Sequence, residues 1–273
     1  MSRSLSSLES KLILRLEWEK KPVVNIEETS QILEISPDYA RLVLHRLASD
    51  GWLKPIVPGK YELIPAERGE YAFPDTNPFF IGSHIVSPYY FSFATSAYHY
   101  GLTTQAPLTV YIATNGGKTK RRLVREKIYQ TVNLPEKKFF GFDEVDAYGQ
   151  NVIMASVEKT ILDSLDKPKY AGDIPEVATM LWRGRNRIDW EKMNGQAERF
   201  GTKSLNQRLG YLISLLNLEI PKSILNELLA QIGSNTCYLG QLSRWDRGGD
   251  YDPVWKVVEN IPRRILLADI DIS

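Results

Sequence analysis

Two helix-start signals follow each other so closely between Asn25 and Asp38 that there is room for only a short turn between two helices. Asn25 is a side-chain N-cap with Glu28 at the N3 position, which is the pattern of a capping box. Ser36 and Pro37 start the next helix as N-cap and N1, and Asp38 places an acid near the positive end of its dipole. Two helices joined by a turn of about three residues form a helix-turn-helix.

The second of these helices has one apolar and one polar face. Its stripe at i, i+3, i+4 and i+7 predicts the side chains that face the core, which are Ala40, Val43, Leu44 and Leu47. The opposite face is polar and aromatic and consists of Tyr39, Arg41, Leu42, His45 and Arg46. Because the second helix of a helix-turn-helix enters the major groove, these residues are candidates for contacts with bases and phosphates.

A helix before this pair and a hairpin after it complete the pattern of a winged helix. Helical spacing predicts a first helix over about residues 4–19, from the positions of Leu5, Leu8, Leu12 and Leu16. Residues 52–57 and 60–64 flank Pro58-Gly59, which is typical of a hairpin. Wing cations contact phosphate, so Lys54 and Lys60 are predicted on the DNA backbone. We predict a winged helix-turn-helix DNA-binding domain over residues 1–66.

The charge balance leaves a second reading of this domain open. The chain has 34 Lys and Arg against 33 Asp and Glu, a net charge of +1, so no global field attracts nucleic acid. Residues 1–70 hold ten cations and eleven acids, which also suits a protein-docking module without DNA binding. Tight binding by so weakly charged a domain would require dimerisation on DNA, which favours a palindromic operator.

Cysteine and histidine usage points away from disulfide and metal chemistry. Cys237 is the one cysteine, and His45, His84 and His99 lie far apart in the sequence. We therefore expect no metal and no cofactor. The first residues lack the apolar core of a signal peptide, and no later segment has the length of a membrane span, so a cytoplasmic location without membrane contact is expected.

A turn-rich segment predicts a linker over residues 67–78, and the chain changes character after it. Strand patterns come first, at residues 108–113, 127–134, 138–148 and 151–155, and helical patterns follow from Ser156 to about residue 231. A β-prone tail is expected at Val254–Val258 and Ile265–Ala268. We predict an α+β fold, in which the helices of a mixed domain over residues 79–273 pack on one side of a small sheet.

One stretch of this second domain concentrates positive charge. Residues 117–125 read GKTKRRLVR, without an acid, and supply the cations Lys118, Lys120, Arg121, Arg122 and Arg125. Gly117-Lys118-Thr119 matches only the second half of a phosphate-binding P-loop, since position 112 is Ile where that motif has its first glycine. The stretch is therefore a candidate anion-binding surface, and a solvated loop is the alternative.

The segment ASVEKTILDSLDKPKYAG, residues 155–172, could supply carboxylates and lysines to a nuclease or a phosphotransferase. Glu158 and Lys159 are adjacent, so on a strand they would face opposite sides. On a helix from Ser156 the core stripe is Val157, Ile161 and Leu165, and Lys159 forms an i, i+4 pair with Asp163 on a solvated face. The helical interpretation accounts for every charge without catalysis.

With these motifs the chain resembles the AbiEi antitoxins of type IV toxin-antitoxin systems, which are bacterial phage-defence (abortive infection) modules. The resemblance covers nearly the whole chain, through PGKYELIP, SPYYFSFATSAYHYGLT, VYIAT, the VEKTILD segment and LNQRLGYLISLL. It implies that the motif residues belong to the antitoxin scaffold, namely Glu158, Lys159, Asp163, Arg208 and Tyr211.

The resemblance implies two tasks and no catalytic residue. The N-terminal domain would bind double-stranded inverted repeats in its own promoter as a transcriptional repressor. The C-terminal domain would neutralise a nucleotidyltransferase-type toxin, typically without a stable complex. Two alternatives stay open: an enzyme that modifies the toxin or its target through Asp163 or Glu158, for example a phosphotransferase, and a docking protein without DNA binding.

Overall fold

The computed structural model describes residues 4–69, 74–75 and 77–270. The fold is α+β, as predicted, and the chain divides into a first unit, Met1–Ile85 with Val124–Glu126, and a second unit, Val86–Leu123 with Lys127–Ser273. Residues 70–73 and 76 of the predicted linker lie outside the described residues. The sequence predicts a second domain from residue 79, whereas the first unit continues to Ile85.

The first unit contains four α-helices and three strands within its described residues. In chain order they are α1 (Ser7–Trp18), β1 (Val23–Asn25), α2 (Ile26–Leu33), α3 (Pro37–Ser49), β2 (Leu53–Val57), β3 (Lys60–Leu63) and α4 (Pro78–Ser83). The three strands form an antiparallel sheet of order β1-β3-β2, in which Val23 lies opposite Glu62 and Leu53 opposite Leu63.

Both predicted caps are present in the first unit. The Glu28 backbone N–H donates to Asn25 Oδ1 at 2.9 Å, and the Glu28 carboxylate accepts from the Asn25 N–H at 3.0 Å. Ser36 caps α3 with Pro37 at N1. The predicted apolar face of α3 is buried, and its larger side chains pack with α1 and the sheet in a core that contains Leu12, Leu16, Leu33, Val43, Leu44, Leu47, Leu53 and Leu63.

The second unit begins with strands and continues with helices. In chain order its elements are β4 (Tyr90–Phe91), α5 (Ala94–His99), β5 (Thr109–Thr114), β6 (Lys120–Val124), β7 (Lys127–Asn133), β8 (Phe142–Asp146), β9 (Asn151–Ala155), α6 (Val157–Asp166), α7 (Ile174–Gly184), α8 (Trp190–Phe200), α9 (Lys203–Leu215), α10 (Lys222–Ala230), β10 (Cys237–Tyr238), β11 (Asp250–Asp252), β12 (Val257–Glu259) and α11 (Arg263–Leu266).

Six of these strands form a mixed sheet of order β6-β7-β5-β4-β9-β8. The pairs β5–β7 and β4–β9 are parallel, whereas β4–β5 and β8–β9 are antiparallel. Helices α6 to α9 contribute to one apolar core, in which Ile161, Leu181, Phe200 and Leu209 are buried. The strands β10, β12 and β11 form a separate small sheet. Strands β6 and β8 are therefore the two edges of the large sheet.

The β-prone tail is correct in its first part and wrong in its second. Val257–Glu259 is a strand, but Arg263–Leu266 is a single helical turn. The Pro262 carbonyl accepts hydrogen bonds from the N–H groups of Ile265 and Leu266, and this turn buries Leu266. A short apolar run fits a strand and a helical turn equally well, so periodicity did not separate them.

Candidate nucleic-acid interface

The outward face of α3 presents every predicted DNA-binding side chain of that helix to solvent. Tyr39 is 41% exposed and Leu42 is 55% exposed, and Arg41, His45 and Arg46 are exposed as well. Residues three and four apart on a helix are neighbours, so Tyr39, Leu42 and Arg46 form one row and Arg41 and His45 form a second. The face combines guanidinium and imidazole nitrogens, which can donate to base edges or phosphates, with apolar surface.

One of these cations, Arg41, has an acidic neighbour on the same helix. Arg41 Nη1 lies 2.9 Å from Asp38 Oδ1, one turn earlier on α3, and both side chains are largely exposed. An exposed pair of this kind stabilises the helix by at most about 1 kcal/mol and exchanges easily for another anion. Arg41 is therefore free to leave Asp38 for a phosphate or a guanine edge.

The two predicted hairpin cations lie in different surroundings. Lys54 on β2 is exposed, whereas Lys60 at the start of β3 is half-buried and its Nζ donates to the His84 carbonyl at 3.1 Å. Burial lowers the pKa of His84, with the charge of Lys60 as a smaller cause in the same direction. Lys54 is thus the more available of the two for a phosphate.

The basic stretch of the second domain forms β6 and the residues before it. Lys118, Lys120 and Arg121 are exposed and Arg122 is half-buried. Arg125 differs, because its guanidinium forms an ion pair with Glu62 and donates to the Asp75 carbonyl at 3.1 Å within the first unit. Its assignment to a free anion-binding surface is wrong, since Glu62 is almost fully buried and already holds the charge of Arg125.

The predicted solvated face of α6 is also wrong. Lys159 and Asp163 are both fully buried and form an ion pair with each other. The second carboxylate oxygen of Asp163 accepts from Tyr90 Oη at 2.9 Å and from Ser92 Oγ at 2.7 Å. Because Tyr90 lies on β4 and Ser92 follows it, the cluster joins α6 to the sheet. Lys159 and Asp163 therefore lie inside the core and not on a solvated face.

Glu158, the other carboxylate of the enzymatic alternative, is buried and connects α6 with the start of α8. Its Oε2 accepts from Ser156 Oγ at 2.8 Å and lies 3.2 Å from Lys192 Nζ. Its Oε1 accepts from the Asp189 N–H at 3.2 Å. The oxygen atoms that a catalytic carboxylate would direct at substrate are thus directed at protein.

The two motif residues of α9 bind the small sheet. Arg208 Nε donates to the Tyr238 carbonyl at 2.9 Å, and burial lowers the pKa of this guanidinium. The Tyr211 hydroxyl donates to the carboxylate of Glu259, and burial together with this hydrogen bond raises the pKa of Tyr211. These contacts give both residues a structural role in joining α9 to β10 and β12.

A cavity of about 410 Å³ in the second unit has no counterpart in the sequence-based predictions. Its wall includes Tyr111 and Tyr170, whose ring centroids lie 5.7 Å apart, and the acidic residues Glu176 and Asp269. Tyr111 and Asp269 lie far along the chain from Tyr170 and Glu176, so local spacing could not have brought the three parts of this wall together. Among the described residues, no group of His, Cys, Asp and Glu side chains has an arrangement that could hold a metal ion.

Comparisons with known proteins indicate the fold. No protein-family model matches the chain, and no curated protein matches it either. Among solved structures, the chain is similar to the RV2827C protein from Mycobacterium tuberculosis, with a TM-score of 0.66 and 17% sequence identity over 98% of this chain and 96% of that one. The likeness therefore extends over nearly the entire fold.

Within the described residues, every helix is too short or too polar to cross a bilayer.

Proposed function

We propose that this chain is a transcriptional autorepressor and antitoxin of the AbiEi type, with DNA binding in the first unit and toxin neutralisation in the second. The observation that carries the proposal is the exposed outer face of α3, where Tyr39, Arg41 and Arg46 stand on the helix that follows a short turn. Arginine side chains on this helix suit bidentate contacts with guanine, and the neighbouring aromatic ring adds apolar surface for a base edge.

The order of elements supports a winged helix in the first unit. The sequence α1-β1-α2-α3-β2-β3, with a sheet of order β1-β3-β2, is the arrangement that such domains use. In this arrangement α3 reads base edges while the β2–β3 hairpin contacts the backbone through Lys54. Inverted repeats in the promoter would bring two copies together, which compensates for the weak charge of each one.

The test of DNA binding is a gel-retardation titration with the DNA immediately upstream of the coding sequence. We expect Arg41→Ala with Arg46→Ala to weaken binding by about 100-fold or more, because each lost base contact weakens binding by about 1 to 3 kcal/mol. Arg183→Ala, an exposed arginine of the second unit, is the matched control and retains full affinity. Equal binding by the double variant and the control would refute the role of α3.

The test of neutralisation uses the same variants in cells that express a neighbouring nucleotidyltransferase-type toxin. Because DNA binding and neutralisation are assigned to different units, the Arg41→Ala, Arg46→Ala protein should still rescue growth. Lys118→Ala with Arg121→Ala should weaken rescue, because it removes exposed cations from the second unit. Mass spectrometry of toxin incubated with the protein, ATP and magnesium tests the enzymatic alternative. We expect an unchanged toxin mass. An added group on the toxin would show instead that the protein is an enzyme that modifies the toxin.

A further inference from the structure

The two edge strands of the large sheet carry opposite charge. Strand β6, at one edge, and the loop before it hold four cations without an acid, which are Lys118, Lys120, Arg121 and Arg122. Strand β8, at the other edge, holds three acids without a cation, which are Asp143, Glu144 and Asp146. The sheet of a nearly neutral chain is thus positive along one edge and negative along the other.

These charges are available to a partner. Of the seven side chains, six are exposed and Arg122 is half-buried. In the part of the chain that the structure describes, no ion pair joins any of the seven to an opposite charge. Both strands are five residues long, and the last residue of β6, Val124, is buried and belongs to the first unit.

Protection against aggregation explains only part of this pattern. Charges on an edge strand prevent edge-to-edge pairing between copies, and like charges on both edges would prevent every such pairing. Opposite charges prevent β6 from pairing with β6 and β8 from pairing with β8. They attract β6 of one copy to β8 of another. Of the three possible edge pairings, β6–β6, β8–β8 and β6–β8, the charges therefore favour only β6–β8.

We propose that β6 of one copy of this protein binds β8 of a second copy, edge to edge, in a salt-dependent head-to-tail association. The contact joins two different surfaces, so it leaves a free β6 and a free β8 at the ends and can extend to further copies. Leu123, 72% exposed on β6, and Tyr148, 70% exposed just after β8, add apolar surface at the two edges. This association does not involve α3, but it uses the same β6 cations as the proposed neutralisation, so the toxin and a second copy would compete for this edge.

Sedimentation velocity of the full chain tests the proposal over a range of protein concentrations. Raising the salt from about 0.1 M to about 1 M shortens the screening length from about 10 Å to about 3 Å, so association at the lower salt should disappear at the higher. Lys120→Glu with Arg121→Glu is expected to weaken association by about tenfold or more, and Asp143→Lys with Glu144→Lys should do the same. Lys222→Glu, at an exposed site on α10, is the matched control and associates like the wild type.

Mixing the two charge-reversed proteins gives the decisive result. With Lys118 and Arg122 retained, the first variant has no net charge on its β6 edge, and with Asp146 retained, the second has a net charge of +1 on β8. Neither protein therefore has two edges of opposite sign, but the acidic β8 of the first matches the basic β6 of the second. We expect an equimolar mixture to associate although neither protein does so alone. If a reversed variant fails to fold, Lys120→Ser with Arg121→Ser and Asp143→Asn with Glu144→Gln provide neutral versions, each of which should associate more weakly than the wild type.

Three results would overturn the proposal: a wild type that stays monomeric at the lower salt, reversed variants that associate like the wild type, or a mixture that does not associate. Association of the wild type that only the β6 changes abolish would instead indicate a different acidic surface as the partner of β6. The Arg41→Ala, Arg46→Ala protein should associate normally, so loss of DNA binding and loss of self-association are separate outcomes.

Discussion

Lys159 and Asp163 form an ion pair one helical turn apart on α6, with both side chains 0% exposed. The ammonium group also donates to Tyr90 Oη at 2.9 Å and lies 4.8 Å from the centroid of the Phe200 ring. Burial lowers the pKa of Lys159, and the charge of Asp163 opposes that shift. The pair thus keeps two opposite charges compensated in an apolar core.

Breaking this pair should destabilise the second unit strongly. Lys159→Met leaves the Asp163 carboxylate buried without a counter-charge. Asp163→Asn likewise leaves the Lys159 ammonium group buried without a counter-charge. We expect each change to lower the free energy of unfolding by about 3 to 5 kcal/mol. The double variant should lose much less than the sum, because it removes both charges together. Chemical denaturation followed by circular dichroism measures all three.

The matched control for that cycle is the pair of Arg15 and Glu19 on α1, which has the same i, i+4 spacing but side chains that are 52% and 31% exposed. Arg15→Met should lower the free energy of unfolding by less than about 1 kcal/mol. Equal effects of Lys159→Met and Arg15→Met would show that burial of the α6 pair does not matter.

The same pair marks the limit of prediction from the sequence. The caps at Asn25 and Ser36 and the buried stripe of α3 depend on residues within one or two helical turns, and the structure confirms them. The i, i+4 spacing of Lys159 and Asp163 was also evident, but their burial depends on Tyr90, which lies 73 residues from Asp163. Likewise the partner of Arg125 lies 63 residues away, at Glu62. Local spacing carries no information about such contacts.

Tyr100 should make the protein less stable at alkaline pH. Burial, with smaller contributions from Asp143 and Glu158, raises its pKa from 10.0 to about 12. Above pH 10 the unfolded chain releases this proton while the folded chain retains it. The stabilisation is therefore complete below pH 10 and is lost as the pH rises towards 12.

Thermal unfolding at about pH 9 and about pH 11 measures this loss. The midpoint of Tyr100→Phe should fall less between the two pH values than that of the wild type, because phenylalanine has no proton to release. Tyr148→Phe, a change at an exposed site, is the control. An identical pH dependence for Tyr100→Phe and the wild type would contradict the prediction.

The two hairpin lysines should contribute differently to the salt dependence of the DNA binding that we propose. Each phosphate contact that is lost lowers the slope of log K against log salt concentration by about 0.9. Lys54→Ala should show this change because Lys54 is exposed, whereas Lys60→Ala should show a smaller one because its ammonium group already donates to the His84 carbonyl. Retardation titrations at several salt concentrations give both slopes, and equal slopes would mean that Lys60 leaves His84 on binding.

Gly210 on α9 should tolerate no side chain, because a Cβ at this position would overlap the indole ring of Trp255. Trp255 is held in place, since it is buried and its Nε1 donates to Ser214 Oγ at 2.8 Å. We expect Gly210→Ala to lower the free energy of unfolding by about 1 to 3 kcal/mol, although alanine is the better helix former. Gly195→Ala in α8 is the control, because nothing lies within 4 Å of its Cβ position and the change should raise stability by up to about 1 kcal/mol. Chemical denaturation of the two variants should therefore give shifts of opposite sign, and two stabilising shifts would mean that Trp255 moves aside.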